Sequence, residues 1–571
     1  MRMGRKRNRF KLIMAMAVSA MAIMTPAQGQ GGHRQTFNID ADDLGEALKS
    51  VSRQSGREII FSAEAVKNKT APHLKGAYTA DEAVTALLSG SDLTAEFRKD
   101  VVFIRGRSEA PGQISESSAV APDIVITGSY IRGAQATSPV MRATRSEIQR
   151  EGLTDLGSFS RSLPQNFSGG QNPGIVGGGG GNENVNSSSA LNLRGLGPDA
   201  TLTLINGHRV AYDAAAQGVD ISSVPLTAVE RVEIVMDGTS ALYGSDAIGG
   251  VANIILRSDF DGLETSARFG ATTDGGYSQR QFGGTGGRRW SAGGIVATID
   301  YSHSTAITAG QRSYTSRLDP SGILFPALRQ WSAVVAGHQK LTDGVELEID
   351  ALFNDRSSGI SSPSLATSDA RTNGVVSDYG VTSYSFTPRL KVRLPANWQV
   401  TLSAVHGRSD TDNFLTNYVQ GAEAARSHVA YHNQLTAIEA NTEGALFDMP
   451  GGAARLAVGA GYRRIGLDGS IKTLSGGVAG ASSQNFSAER EAFFGFGEVS
   501  IPVFGPGNGV PLIHKLYLTG AVRYEEYDQI GGVGTPKIGI AYEPIADVSL
   551  KASWGKSFKA PTLYQQFSAR Q

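Results

Sequence analysis

Few side chains of this 571-residue sequence are grouped in a way that could support catalysis. There is no cysteine, which excludes disulfides and thiolate chemistry. The nine histidines are scattered, without the spacing of a metal site. The glycine run at 177–181 follows no predicted strand and lacks the Lys-Ser/Thr pair of a P-loop, so we interpret it as a loop. We therefore predict no enzyme, no catalytic residue, no metal and no cofactor.

Another chemistry, main-chain hydrogen bonding to a partner strand, is suggested by the segment PDIVITGSY at 122–130. Its residues 124–127, IVIT, are a β-branched run that favours a sheet, yet the polar linker SEAPGQISESSAVA (108–121) leads into it. An unpaired strand of this kind is normally an aggregation hazard. It needs either an edge within this chain or another protein.

The elements that position this segment begin with an export signal. Six basic residues precede the 13-residue apolar run Leu12–Met24, which is too short to span a membrane. We predict a signal peptide at 1–27, with a retained anchor as the alternative. No later apolar run reaches the roughly 18 residues of a spanning helix, so membrane entry requires a β-barrel. The balance of 53 basic and 53 acidic residues gives no electrostatic reason to bind nucleic acid.

Two small α/β regions flank the linker. In residues 36–106, strand-like TFNI and EIIF surround a helical pattern, and Thr79 with Glu82 predicts a capping box before a second helix. In residues 137–257, the segment TLTLINGHRV (201–210) predicts a hairpin with a type I′ turn at Asn206-Gly207. We also predict a short helix over 226–232 and strands at 232–238 and 251–257. The first region has no catalytic set, so we expect a binding role.

From residue 258 to 571 the sequence alternates between apolar and polar residues. VELEIDALF (345–353) places Val345 and Phe353 on one face, and Glu346 and Asp350 on the other. We count about thirteen such strands of about ten residues, joined alternately by short turns and polar loops, which predicts an outer-membrane barrel. A soluble β-sandwich is the alternative.

The size of this barrel follows from the region that precedes it. A domain of 120 residues is roughly 35 Å across. Fourteen strands enclose about 28 Å and twenty-two enclose about 44 Å, so only the larger barrel holds such a domain as a plug. We therefore expect a fragment that lacks about the last third of its barrel.

The motifs LNLRGLG, TLTLINGHRV, VERVEIVMDGTSALYGSDAIGGVANIILR (229–257) and WGKSFKAPTLYQQF (554–567) resemble those of the TonB-dependent outer-membrane receptors. Residues 36–106 are similar to the secretin/TonB short N-terminal domain of that family. The resemblance implies a mainly β fold: a large antiparallel transmembrane β-barrel of 22 strands when complete, partial here, with an α/β plug in its lumen and a small periplasmic α/β domain. It divides the chain into a signal peptide (1–27), the N-terminal domain (36–106), a linker with a TonB box (107–136), the plug (137–257) and the barrel (258–571).

The resemblance also implies partners and site residues. The TonB box, which adds a strand to TonB, falls on Asp123, Ile124, Val125, Ile126, Thr127 and Gly128. An edge strand of a neighbouring domain is the alternative for this segment. The resemblance implies that Arg194, Glu230 and Arg231 contribute to contact between plug and barrel. Salt bridges within the plug are the alternative for these residues. The implied partners are TonB with ExbB and ExbD, outer-membrane lipid and a periplasmic anti-sigma regulator, with the N-terminal domain and the box in the periplasm of a bacterium.

Ligand identity is the last implication. Ferric siderophores are the usual ligands of family members with this extra domain, so we expect active uptake of a ferric siderophore, with signalling through the N-terminal domain. MDGTS (236–240) departs from the Arg-Gly-Pro version common among iron receptors. The alternatives are a carbohydrate or other nutrient transporter, and a receptor that is primarily a sensor.

Overall fold

The computed structural model describes residues 35–39, 43–55, 58–61, 66, 69–89, 91, 93–97, 101–106, 127–170, 172–173, 184, 186–475, 478–480 and 484–568. The predicted signal peptide, Asp123, Ile124, Val125 and Ile126 of the predicted TonB box, and the glycine run lie outside these residues. The chain forms two compact units, residues 1–121 and 122–571. Among the described residues, no helix has the length and apolar character needed to cross a bilayer.

The first unit is a small α/β domain in which two helices pack on short sheets. Its elements are β1 (Gln35–Ile39), α1 (Leu44–Ser55), β2 (Glu58–Ile60), β3 (Leu74–Tyr78), α2 (Ala80–Leu87), β4 (Leu93–Phe97) and β5 (Val101–Gly106). Strand β1 pairs with β3, and β5 pairs with β2 and β4. Thr79 and Glu82 form the predicted capping box at the start of α2. The helices bury their predicted apolar faces, including Leu44, Leu48 and Val84.

The second unit opens with a five-stranded α/β domain, here called the plug. Its elements are β6 (Val140–Thr144), α3 (Arg145–Arg150), α4 (Leu156–Ser162), β7 (Thr201–Ile205), β8 (His208–Arg209), β9 (Val229–Val235), α5 (Ser240–Tyr243) and β10 (Gly250–Leu256). The strand order is β6-β9-β10-β7-β8, with β10 and β7 parallel. Its core includes Leu193, Val229, Ile234 and Ile254, each at most 2% exposed. Burial of each such side chain contributes about 1.5–3 kcal/mol.

The short helix predicted over 226–232 is wrong. Only Leu226–Ala228 form one 3₁₀ turn, and strand β9 begins at Val229. The reason is tertiary: β9 lies between β6 and β10 and buries Val229, Val232 and Ile234 in the core. Sheet pairing on both sides outweighs the weak local preference for helix.

Two turns of the plug depend on positive φ angles. Asn206 (φ 47°) and Gly207 (φ 83°) form the predicted turn between β7 and β8. Gly244 (φ 80°) ends α5, and a Cβ there would lie 2.3 Å from Oε1 of Glu525. Gly244 therefore permits both the backbone conformation and a close approach to the surrounding sheet.

The rest of the unit is a large antiparallel sheet. Its strands are β11 (Gly262–Gly270), β12 (Gln279–Trp290), β13 (Gly293–Ser304), β16 (Ala327–Thr342), β17 (Val345–Pro363), β18 (Gly374–Arg393), β19 (Gln399–Val419), β20 (Ala422–Met449), β21 (Gly452–Ser475), β23 (Gln484–Phe504), β24 (Lys515–Tyr527), β25 (Gly531–Ile545) and β26 (Val548–Gly555). Each pairs with the next, and β11 and β26 are the edges. The short strands β14 (Ile307–Thr308) and β15 (Ile323–Phe325) pair with each other, β22 (Val478–Ala479) pairs with β21, and α6 (Leu563–Phe567) follows β26.

Most strands are longer than the predicted ten residues, and β20 has 28. The connections at residues 420–421 and 528–530 are short, because the strands on either side of them continue. The polar stretch 407–417 of β19 stays paired with both neighbouring strands. Main-chain pairing therefore extends the sheet beyond the segments with strict apolar alternation.

The alternation divides the sheet into a charged inner face and an apolar outer face. On β17, Glu346 contacts His338 at 3.2 Å and Asp350 contacts Arg389 at 2.8 Å, whereas Phe353 is 46% exposed. The sheet surrounds the plug, which hydrogen-bonds to side chains of β11, β16–β20 and β23–β26. The sheet is therefore the wall of a barrel with its polar face toward the plug.

Candidate functional site

The first described residues of the second unit, 127–132, form an anchor segment that contains the last two residues of the predicted TonB box and leads into the plug. The backbone N–H and the hydroxyl of Thr127 both donate to Oε2 of Glu233, at 3.0 and 2.6 Å. The amide of Asn253 donates to the Thr127 hydroxyl oxygen, and the N–H of Gly128 donates to the Tyr243 hydroxyl. Thr127 is 1% exposed. The end of the predicted box is thus fixed on the plug sheet.

Glu233 accepts these bonds as a carboxylate. Burial raises its pKa, but hydrogen bonds from Thr127 and Arg231 outweigh burial and leave the pKa below its ordinary value. Arg231 donates to the other oxygen of Glu233 at 2.7 Å. One sign of this role is visible in the sequence, because an acidic residue in a strand as buried as β9 requires partners.

The anchor segment is also bonded to the wall. The Ser129 hydroxyl and the Tyr130 N–H donate to the two carboxylate oxygens of Glu498 on β23, at 2.6 and 2.7 Å. Arg132 forms an ion pair with Glu443 on β20. Two buried wall carboxylates therefore hold the four residues that follow the box.

The structure places Arg194, Glu230 and Arg231 in contacts within the plug. Arg194 donates to the carbonyl oxygen of Met236, and Arg231 pairs with Glu230 and with Glu233. Arg231 is therefore connected to Thr127 of the predicted box through Glu233, which accepts hydrogen bonds from both residues. Contact of these three residues with the barrel remains a prediction.

The strongest plug-to-wall contact near Arg194 uses Asp237. Oδ2 of this carboxylate accepts from Lys537 at 2.8 Å, from Ser553 at 2.7 Å and from Ser138 at 2.6 Å. Burial raises the pKa of Asp237, but these hydrogen bonds, led by Lys537, bring it down to about 2. In the sequence, this contact is indicated by MDGTS (236–240), which has an acidic residue where many iron receptors have Arg-Gly-Pro. An acidic side chain at this position needs a cation on the wall.

A second contact joins the loop at 213–222 to strand β17. Arg356 pairs with Asp220 and lies 3.8 Å from Asp213, and its side chain is 2% exposed. Ser409 and Thr411 on β19 donate to Asp213 at 3.1 and 3.3 Å. Sequence reasoning missed this group because each plug residue is 136 to 198 residues away from its partners on the wall.

Further along the lumen, side chains of plug and wall line a small cavity of about 20 Å³. Its lining includes Tyr212, Gln217, Asp246, Arg463, Arg490 and Tyr527. Helix α6 lies beside it, since Leu563 N–H donates to Gln217 and Arg490 donates to Gln566. Within the described part of the chain, no group of three or more His, Asp or Glu side chains is arranged to hold a metal ion.

Comparison with known families agrees with this architecture. The model of the TonB-dependent receptor-like β-barrel matches residues 238–570, the TonB-dependent receptor plug domain matches 132–251, and the secretin and TonB N-terminus short domain matches 58–107. Because the barrel model alone covers more than half of the chain, the protein belongs to the TonB-dependent receptors. This family comprises outer-membrane receptors and transporters, and not enzymes.

Solved structures show the same fold. The ferripyoverdine receptor of the outer membrane of Pseudomonas aeruginosa, bound to ferripyoverdine, has a TM-score of 0.53 and 16% identity, over 93% of this chain and 71% of that chain. The siderophore receptor PirA from Acinetobacter baumannii has a TM-score of 0.55 and 15% identity, over 75% and 62%. A mutant ferric enterobactin receptor from P. aeruginosa, in complex with enterobactin, has a TM-score of 0.54 and 19% identity, over 76% and 64%. The chain thus spans 62–71% of these receptors.

Proposed function

We propose that this receptor imports a ferric siderophore and that TonB, energised through ExbB and ExbD, supplies the force. The observation that carries the proposal is the double attachment of residues 127–132, to the plug through Glu233 and to the wall through Glu498 and Glu443. A pull on the box from the periplasm acts on these bonds before it acts on the plug core. Their partners are polar side chains, but displacement of the segment also exposes Ile131, which is fully buried, and Tyr130, which packs on Phe496.

The ligand class is supported by the neighbours rather than by a contact in this chain. The structures named above are a ferripyoverdine receptor, a ferric enterobactin receptor and a siderophore receptor. The matched share of this chain rises from 75–76% with the latter two to 93% with the ferripyoverdine receptor. That difference of 17–18% is about one hundred residues, a length that fits the N-terminal domain and the linker together, residues 36–136.

The first test is the abundance of the intact protein in its native outer membrane, compared between iron-starved and iron-replete cells. We expect a strong rise on starvation. Equal abundance in both conditions contradicts iron import and favours a carbohydrate or other nutrient. The Asp237-Gly238 pair in place of Arg-Gly is the observation that favours this second candidate. The same comparison across carbon sources then tests it.

We further propose that the N-terminal domain lies in the periplasm and reports ligand occupancy to an anti-sigma regulator. This role is supported by the domain's own core and by the linker that separates it from the plug. Deletion of residues 36–106 should abolish ligand-dependent induction and leave uptake unchanged. Loss of uptake in a deletion variant that reaches the outer membrane at normal abundance contradicts this division of roles.

A further inference from the structure

Arg490 is a buried arginine on the inner face of the wall that forms no ion pair among the described residues. It is 3% exposed, and its Nε has no hydrogen-bond partner. Its one hydrogen bond in the described part of the chain goes to a neutral group, the side-chain oxygen of Gln566, at 2.6 Å. No carboxylate among the described residues lies within ion-pair distance of it. A buried cation of this kind normally has an anionic partner.

The acidic groups around the cavity already have other partners. Asp246 accepts from Arg209, Tyr212 and Ser245, and although burial raises its pKa, the Arg209 charge and these bonds bring the pKa below its ordinary value. Glu525 accepts from Arg523 and Tyr527 and pairs with Arg463. Asp199 pairs with Lys559. None of these carboxylates is left for Arg490. Asp528 also acts on Arg490, but only from beyond ion-pair distance, and its Oδ1 accepts from the N–H of Glu491 at 3.3 Å.

A second cation lies beside Arg490. Arg463 on β21 is opposite Ala492 on β23, so Arg490 is its diagonal neighbour on the same face, with Cα atoms about 7–8 Å apart. Both side chains line the cavity. The other cations around the cavity, Arg209, Arg463, Arg523 and Lys559, each pair with a carboxylate, whereas Arg490 has no ion pair among the described residues. Arg490 and Arg463 lie inside the protein, where repulsion between cations is weakly screened.

We propose that Arg490, with Arg463 beside it, binds an oxyanion group, a carboxylate or a phosphate, of the ligand as it passes between plug and wall. Guanidinium groups are the preferred protein partners of both anions. This inference rests on the proposed function in one respect only, that the ligand enters through the lumen. It adds that the ligand carries a negatively charged oxygen group and names the residue that receives it.

The test is a titration of the full-length receptor in detergent with sodium citrate and, separately, with inorganic phosphate, followed by calorimetry and by thermal unfolding. Sodium chloride of matched ionic strength is the reference. We expect saturable binding of at least one oxyanion and a rise in Tm that chloride does not give. Binding of citrate alone identifies a carboxylate site, binding of phosphate alone a phosphate site, and binding of both a shared site.

Variants separate binding from folding. Arg490→Gln should weaken the binding about tenfold or more, and Arg490→Lys should weaken it less. Arg464→Gln is the matched control, because Arg464 is on the opposite, exposed face of β21 and pairs with Glu489. Without oxyanion, Arg490→Gln should not lower the Tm, because it removes a charge that is unpaired in the empty site.

Three results overturn the inference: no saturable binding of either oxyanion, equal binding by Arg490→Gln, or a lower Tm of this variant in the absence of oxyanion, which indicates a structural role. None of them depends on the iron response of the native protein. An iron-induced receptor without oxyanion binding contradicts this inference alone. An oxyanion-binding receptor without an iron response contradicts the choice of siderophore alone.

Discussion

Asp237 concentrates plug-to-wall contact in one side chain, so its removal should have a larger effect than removal of a neighbour. Asp237→Ala leaves the Lys537 ammonium, 10% exposed, without its carboxylate, at a cost on the order of 3 kcal/mol. Arg194 donates to the carbonyl oxygen of Met236, the residue before Asp237. We expect cells with Asp237→Ala to become more sensitive to large antibiotics, and cells with Arg194→Ala to change less.

The measurement is growth inhibition by an antibiotic too large for ordinary porins, with receptor abundance matched among strains. Equal sensitivity of both variants would show that Arg194 contributes as much as Asp237 to closing the lumen. That result would support the prediction that Arg194 takes part in contact between plug and barrel. Unchanged sensitivity of Asp237→Ala would show that its bonds with the wall do not close the lumen.

His208 gives the plug a pH dependence. Burial, followed by the charge of Arg389, lowers the pKa of His208 from 6.5 to about 3; Glu348 and Lys391 also face the ring, with opposite effects. Because the folded pKa is below the unfolded one, the unfolded state binds more protons between pH 6.5 and 3. Stability therefore falls as pH falls below 6.5, by about 1 kcal/mol per pH unit. We expect the Tm to drop from pH 7 to pH 5, and His208→Gln to reduce that drop. An identical drop in the variant would assign the effect to other groups.

At the scale of elements, local sequence predicted what local interactions decide. The hairpin at 201–209, the capping box at Thr79 and the alternating strands follow from turn chemistry, capping and period-two patterns, and the structure has all three. The helix expected at 226–232 failed because β9 has strand partners on both sides. The wall partners of Asp237 and Asp220 were not predictable, since the register of distant strands determines which side chains meet.

The TonB box is the element whose role rests most directly on strand formation. Ile126→Pro removes a backbone N–H and blocks addition of this segment to a sheet edge. We expect affinity for the periplasmic domain of TonB to fall about tenfold or more, and radiolabelled iron uptake to be lost. Ser117→Pro in the preceding linker is the matched control. Affinity for TonB and iron uptake should both be normal in that variant. Wild-type affinity in Ile126→Pro would indicate that TonB binds a different segment.

At the scale of the whole molecule, the question is how much of the plug must move. The sequence has no cysteine, so an engineered pair can form one defined disulfide. The hydroxyl oxygens of Thr137 and Thr519 are 3.3 Å apart, and those of Ser187 and Ser358 are 2.9 Å apart. Each pair joins plug to wall, the first near the anchor segment and the second about fifty residues further along the chain.

A pull that begins at the box reaches residue 137 before residue 187. If displacement of the first part of the plug opens a path, a disulfide between cysteines at 137 and 519 should stop iron uptake, and a reductant should restore it. A disulfide between cysteines at 187 and 358 should leave uptake near the wild-type level. Single-cysteine variants control for the substitutions themselves. A block by both disulfides would mean that the plug moves as one body, whereas uptake through both would mean that the path opens without displacement of residue 137 from the wall.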